Sequence, residues 1–404
     1  MSLDLAKTAL QIDGMADELR MRQDDRRRRL GHALEAARAL DVEVQEEKRR
    51  RSESTLAWPV PRVLDSPAAR YSPPPLPEDF SVVATDGSHI DVDRHMPARC
   101  FLINIGTSVL TYGSEAGARL FNRPRLYASE QELVLEDYAA PSRRQNIEGA
   151  VLGAKRTVEE IQALVEALRA LSPDIPAVAL MDGSLIMLGL VGQGYQDFIR
   201  RQLVENGFVK ALDELREIAR DRPLAVASYI SLPGSSEVVN ALRLVVCPYE
   251  TADCGNYCGS LVPGNRPCDD TAHGLLDREL WSETLEPGER SGVFASSSQM
   301  VANHYGGNDI HFFYVHAGEE IGRVEVPSWV ANDETLLGLT HSLVVDQCRR
   351  GPGYPVALME AHEQAVVTGS DRRSFAQLVD EALDSQKLPV YTSQKNRSKR
   401  LRWV

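Results

Sequence analysis

Two apolar, β-branched runs in this chain close on the same signature, SVVATDGS (81–88) and PAVALMDGS (176–184). Each reads as a short buried strand that delivers one aspartate, Asp86 or Asp182, to its carboxyl end, with glycine allowing a sharp exit and serine able to cap or bond locally. Between them IEGAVLGAKRTVEEIQALVEALRAL (147–171) keeps the apolar period of a long helix. Strand, helix and strand in that order constrain the chain to an α/β sheet. Further runs extend the pattern: strands in 100–113, a helix over about 195–220, strands at 224–230, 309–316 and 321–326, and a helix over about 356–368. The expected fold is α/β, a mixed sheet flanked by helices.

Residues 3–54 contain no proline and place Leu5, Ala9, Ile12, Ala16 and Leu19, then Leu30, Ala33, Leu34, Ala37, Leu40 and Val44, at helical spacing. One or two long helices are expected, interrupted at the charged run DDRRRR (24–29), which reads as a turn or a solvated stretch. Residues 1–55 thus form a helical arm suited to packing or a coiled-coil dimer. A proline-rich linker (56–80) follows, then the main domain (81–394) and a basic tail (395–404).

The net charge is −13; residues 1–55 carry twelve acidic and twelve basic side chains, and the last ten hold five basic and none acidic, so the body stands at −18. A protein that coats duplex DNA with a broad face is normally basic, and the acid balance argues against that mode. A nuclease stays open, because its metal site is itself a cluster of acids. No run of about 18 apolar residues and no signal-peptide order is present, so a cytoplasmic protein without a membrane span is expected.

If the two Asp-Gly-Ser strands are neighbours, Asp86 and Asp182 converge, and a divalent cation is the usual remedy for two adjacent carboxylates. The plainer reading is that each Asp-Gly starts a turn. Glu148, just after Arg143 and Arg144, is a candidate third acid, or else a helix N-terminal charge that complements the dipole. Tyr354 and His362 are eight residues apart, about two helical turns along one face, with Pro355 placing Tyr354 at or before the first turn. Cys247, Cys254, Cys258 and Cys268, spaced C-x₆-C-x₃-C-x₉-C, lie in a Gly-, Pro- and Asn-rich insertion (247–273) that has little with which to build a core. They are candidates for a structural zinc site, an iron–sulfur cluster, or free thiols.

The early Asp-Gly-Ser, the arginine-rich approach to a helix glutamate, the second Asp-Gly-Ser-Leu, HFFYVHAG leading into IGRVEVP, and GYPVALMEAH together resemble the NurA nuclease family. The resemblance runs from Asp86 to His362. It implies a ribonuclease-H-like fold and a manganese- or magnesium-dependent nuclease with single-strand endonuclease and 5′-to-3′ exonuclease activity. It further implies a homodimer that processes DNA ends, in repair or anti-phage defence, with a HerA-like hexameric ATPase. By the same resemblance Asp86, Glu148 and Asp182 bind the metal, while Tyr354 and His362 complete the site, His362 as a ligand or proton carrier. Arg143, Arg144, Lys395 and Arg397 are candidate DNA contacts. Family members often carry lysines near the positions of Ser228 and His316, where this chain departs. The competing readings are a catalytically silent scaffold subunit of a translocase assembly, and a nuclease of the same chemistry acting on RNA.

Overall fold

Side-chain capping, rather than charge density, decides where the N-terminal helices divide. The computed structural model describes residues 4–92, 98–191 and 194–388. Within it helix α1 (Leu5–Ala39) runs straight through DDRRRR, against the expected turn. Arginine is a good helix former, and the run is laced by helical pairs such as Arg28 with Asp25 (3.2 Å). The break comes at Leu40, whose backbone is extended. Asp41 then caps helix α2 (Val42–Ser52), its carboxylate accepting from Val44 N–H at 3.0 Å.

The described chain forms two compact units. The first gathers residues 4–73, 230–298 and 311–324. The arm, most of the proline-rich segment and the cysteine-rich stretch therefore belong together. Ala33, Ala36, Ala37 and Leu40 of α1 join a core with Val238, Leu242, Trp281 and Phe312. Short antiparallel strands, Arg62–Val63 against Phe294–Ala295 and Arg70–Tyr71 against Arg290–Ser291, order the segment read as linker.

Of the described residues, the second unit holds those within 74–229, 299–310 and 325–388. Its sheet contains β1 (Phe80–Ile90), β2 (Phe101–Tyr112), β3 (Gly117–Tyr127), β4 (Ala177–Asp182) and β5 (Leu224–Ile230). The first three form an antiparallel meander. β4 then pairs parallel with β1, and β5 parallel with β4. The order β3-β2-β1-β4-β5 is that of a ribonuclease-H-like fold. Helix α3 (Ala150–Arg169) supplies the crossover from the meander to β4, burying Val151, Val158, Ile161 and Val165. A continuous helix over 197–218, whose middle is a π-helix (Arg201–Val209), leads to β5.

Helices α4 (Glu334–Arg350) and α5 (Val356–Ala365) complete the site. The α4 pattern was not read in the sequence, because Leu339, Leu343 and Val344 share its buried surface with Thr340, His341, Gln347 and Asp346. Alternation along β1 and β2 puts α3 and α5 on opposite faces. A side chain at Gly87 would strike Glu160 and Arg156 of α3, whereas one at Gly106 would strike the α5 backbone at Ala361 and Ala365.

Candidate active site

The parallel register pairs Thr85 with Met181, so Asp86 and Asp182 fall on the next rung of adjacent strands. Their two glycines do different work. Gly183 has φ +82° and makes the exit turn, its N–H donating to Tyr229 O at 3.0 Å. Gly87 stays inside β1, which runs on to Ile90, and its missing Cβ is what lets α3 approach. The expected sharp exit therefore holds for the second signature and not for the first. Ser184 does bond locally, accepting from Ile186 N–H at 3.0 Å, and also donates to Glu325 at 2.7 Å.

Each aspartate is engaged by one residue of the C-terminal segment. Tyr354, just ahead of α5, donates its hydroxyl to Asp182 Oδ1 at 2.8 Å and sets its ring edge-on to Tyr229. His362 on α5 lies with Nδ1 2.7 Å from Asp86 Oδ2. A carboxylate acceptor there assigns the proton of a neutral ring to Nδ1 and leaves Nε2 its lone pair. Helix α5 is fixed by Asn104 of β2, whose Nδ2 donates to Gln364 O and Ala365 O at 3.1 and 2.9 Å.

The acid of α3 whose carboxyl feels both aspartates is Glu160; the sequence reading named Glu148 instead. Glu148 is exposed and precedes α3. From the first residue of α3 to Glu160 the helix rises about 15 Å, which separates the two acids. Glu160 is buried behind β1 and paired with Arg156 (3.0 Å), and its backbone carbonyl accepts from Thr85 Oγ1 at 3.0 Å. Burial, against the pull of Arg156 and reinforced by Asp86 and Asp182, raises its carboxyl to about 7. Asp182 is likewise raised, first by partial desolvation and further by Asp86, while its bonds from Tyr354 and Gly183 pull it down. Burial and the Asp182 charge raise the Tyr354 hydroxyl, keeping it a donor. The signal for Glu160 was present: an acid four residues before Leu164, on the apolar side of α3 and one turn after Arg156.

Among the described residues no three His, Cys, Asp or Glu side chains are disposed to hold a single ion as they stand. Arg143 and Arg144 lie exposed on a hairpin (Val134–Asp137 with Ala140–Asn146), paired with Asp137 at 3.6 Å and Glu136 at 2.8 Å. Ser228 is buried in β5. Lys395 and Arg397, with the whole basic tail, lie outside the described residues. Cys247, Cys254, Cys258 and Cys268 belong to the first unit, apart from these acids.

A meander and two parallel strands, with acids on the central pair and on the crossover helix, define a ribonuclease-H-like α/β protein with a carboxylate site. The chain belongs to the NurA domain family, which matches residues 80–367. In structure it is similar to the NurA nuclease from Sulfolobus solfataricus, with a TM-score of 0.50 and 12% identity, covering 96% of this chain and 98% of that one. It is also similar, at a TM-score of 0.35 and 14% identity, to NurA bound to dAMP and manganese, covering 78% and 90%. No curated protein matches the sequence.

Proposed function

We propose that this chain is a metal-dependent nuclease that hydrolyses DNA phosphodiesters. The observation that carries the reading is the placement of Asp86 and Asp182 on one rung of adjacent parallel strands, each held by a residue of the C-terminal segment. The donors are hard carboxylate oxygens, which suit Mn²⁺ or Mg²⁺. The Glu160 carboxyl, raised by burial and further by the two aspartates, fits the same need for a cation. Asp86, Asp182 and Glu160 would hold the ion, with Glu160 in the place first given to Glu148. A bound divalent ion lowers the pKa of water and offsets charge on the phosphate. Asp86 orients the His362 ring, so that Nε2 can take or give a proton at a reacting oxygen. Tyr354 fixes the rotation of Asp182 through its hydroxyl, and its ring walls that side of the site.

The test is cleavage of labelled single-stranded DNA, duplex DNA and RNA with Mn²⁺, Mg²⁺ or EDTA. Asp86→Asn and Asp182→Asn should abolish metal-dependent cleavage of DNA. Wild-type rates in either folded variant would overturn the assignment, and a preference for RNA would move the substrate class.

The reading extends to a cytoplasmic homodimer that processes DNA ends, in repair or defence, with a HerA-like hexameric ATPase. Its support is the apolar stripe of α1, where Leu5, Ile12 and Leu19 are 72%, 52% and 61% exposed at coiled-coil spacing. A second chain would cover it. No helix among the described residues is long and apolar enough to cross a membrane. Light scattering that shows a monomer at micromolar concentration, with activity unchanged by the translocase, would sink this extension.

A further inference from the structure

Cys247, Cys254, Cys258 and Cys268 come from a stretch that makes only two short helices, Cys254–Cys258 and Asp269–Ala272, joined by turns. All four nevertheless line one cavity, with Trp58 and Arg243 among its other walls. Cys258 and Cys268 are buried, the other two half-buried, and none is in a disulfide. Hydrogen-bond donors are aimed at sulfur. Arg243 Nη1 stands 3.5 Å from Cys268 Sγ, with its guanidinium 4.7 Å from the Trp58 ring centre, and the Ala57 N–H serves Cys254. Such donors favour thiolates, as they do around metal-bound sulfur.

Four soft donors around one small cavity, in a stretch with only two short helices, match the ligand set of a closed thiolate site, either one tetrahedral zinc ion or an iron–sulfur cluster. We propose that Cys247, Cys254, Cys258 and Cys268 ligate a thiolate-bound metal centre that stands in for a hydrophobic core in this stretch. Its effect reaches α2, because Lys48 Nζ donates to Cys247 O at 2.6 Å and Ser52 Oγ accepts from Ala252 N–H at 2.8 Å.

The inference is independent of the nuclease reading, and its test needs no activity. Full-length protein purified without oxygen and without added metal should contain either about one zinc per chain or iron and acid-labile sulfide in near-equal amounts, about two to four of each; a visible absorption band that dithionite bleaches marks the second case. Cys258→Ser and Cys268→Ser should lose the metal, whereas Cys100→Ser, in the other unit, should keep it. Should the variants fail to fold, alkylation of the native wild type decides: the four cysteines should react only after a metal chelator is added. Zinc and iron both below about a tenth per chain, as purified and after anaerobic reconstitution with zinc or with ferrous iron and sulfide, would overturn the proposal.

Discussion

Replacing Glu160 by glutamine should stabilise the metal-free protein. The side chain is 5% exposed, and its carboxyl is raised from the usual 4.5 to about 7. A raised carboxyl binds its proton more tightly in the folded state. Stability is therefore full below about pH 4.5 and falls as the pH rises to about 7. A shift of that size corresponds to about 3 kcal/mol at pH 8. Glutamine escapes this loss but gives up the ion pair with Arg156, so the net gain should be about 1–3 kcal/mol. The assay is urea unfolding in EDTA at pH 5 and pH 8, comparing wild type with Glu160→Gln. The difference between the two proteins should grow with pH, and Mn²⁺ should raise the wild-type midpoint more than that of the variant. A Glu160→Gln protein that is less stable than wild type by the same amount at both pH values would refute the claim that the carboxylate is held against its preference.

Gly106→Ala places a methyl group against the backbone of α5; it should cost about 1–3 kcal/mol in unfolding free energy and, by displacing His362, on the order of 10²-fold in kcat. Gly87→Ala should destabilise more than Gly183→Ala in thermal melts: the first meets Glu160 and Arg156, whereas the second has open space and only the strain of φ +82°, about 1 kcal/mol. Tyr354→Phe removes a hydrogen bond that favours the Asp182 carboxylate, so the acid limb of the pH–rate profile should move to higher pH. Ile12→Glu with Leu19→Glu should convert a dimer to a monomer in light scattering and leave the Asp86–His362 site intact.

The strands bearing Asp86 and Asp182 were legible because each is an almost unbroken apolar run, as a strand buried on both faces must be. Tyr354 and His362 were legible as a spacing, and the structure gives each its own aspartate. Glu160 was not, because an acid on the apolar side of α3 looks like an exception to the helical pattern until the strand it lies behind is known. The division into two units was equally hidden. Residues 230–298 return to the N-terminal arm through contacts that span about two hundred positions, such as Ser52 with Ala252, and no local pattern encodes a return of that length. The insertion of cysteines was visible as a composition; that its four thiols share one cavity is a fact of packing.

Because both aspartates are clasped by Tyr354 and His362, the assembly of the pair is set by the order of synthesis. Asp182 leaves the ribosome 180 residues ahead of His362, an interval of roughly 10–40 s at ~5–20 residues per second. Throughout that time the nascent chain carries both aspartates without the histidine that orders one and the tyrosine that orders the other. A chain that stalls or is clipped in the interval would lack His362 and bear an unsupported acid pair. Under the nuclease reading, such a fragment would be harmless to the nucleic acid around it.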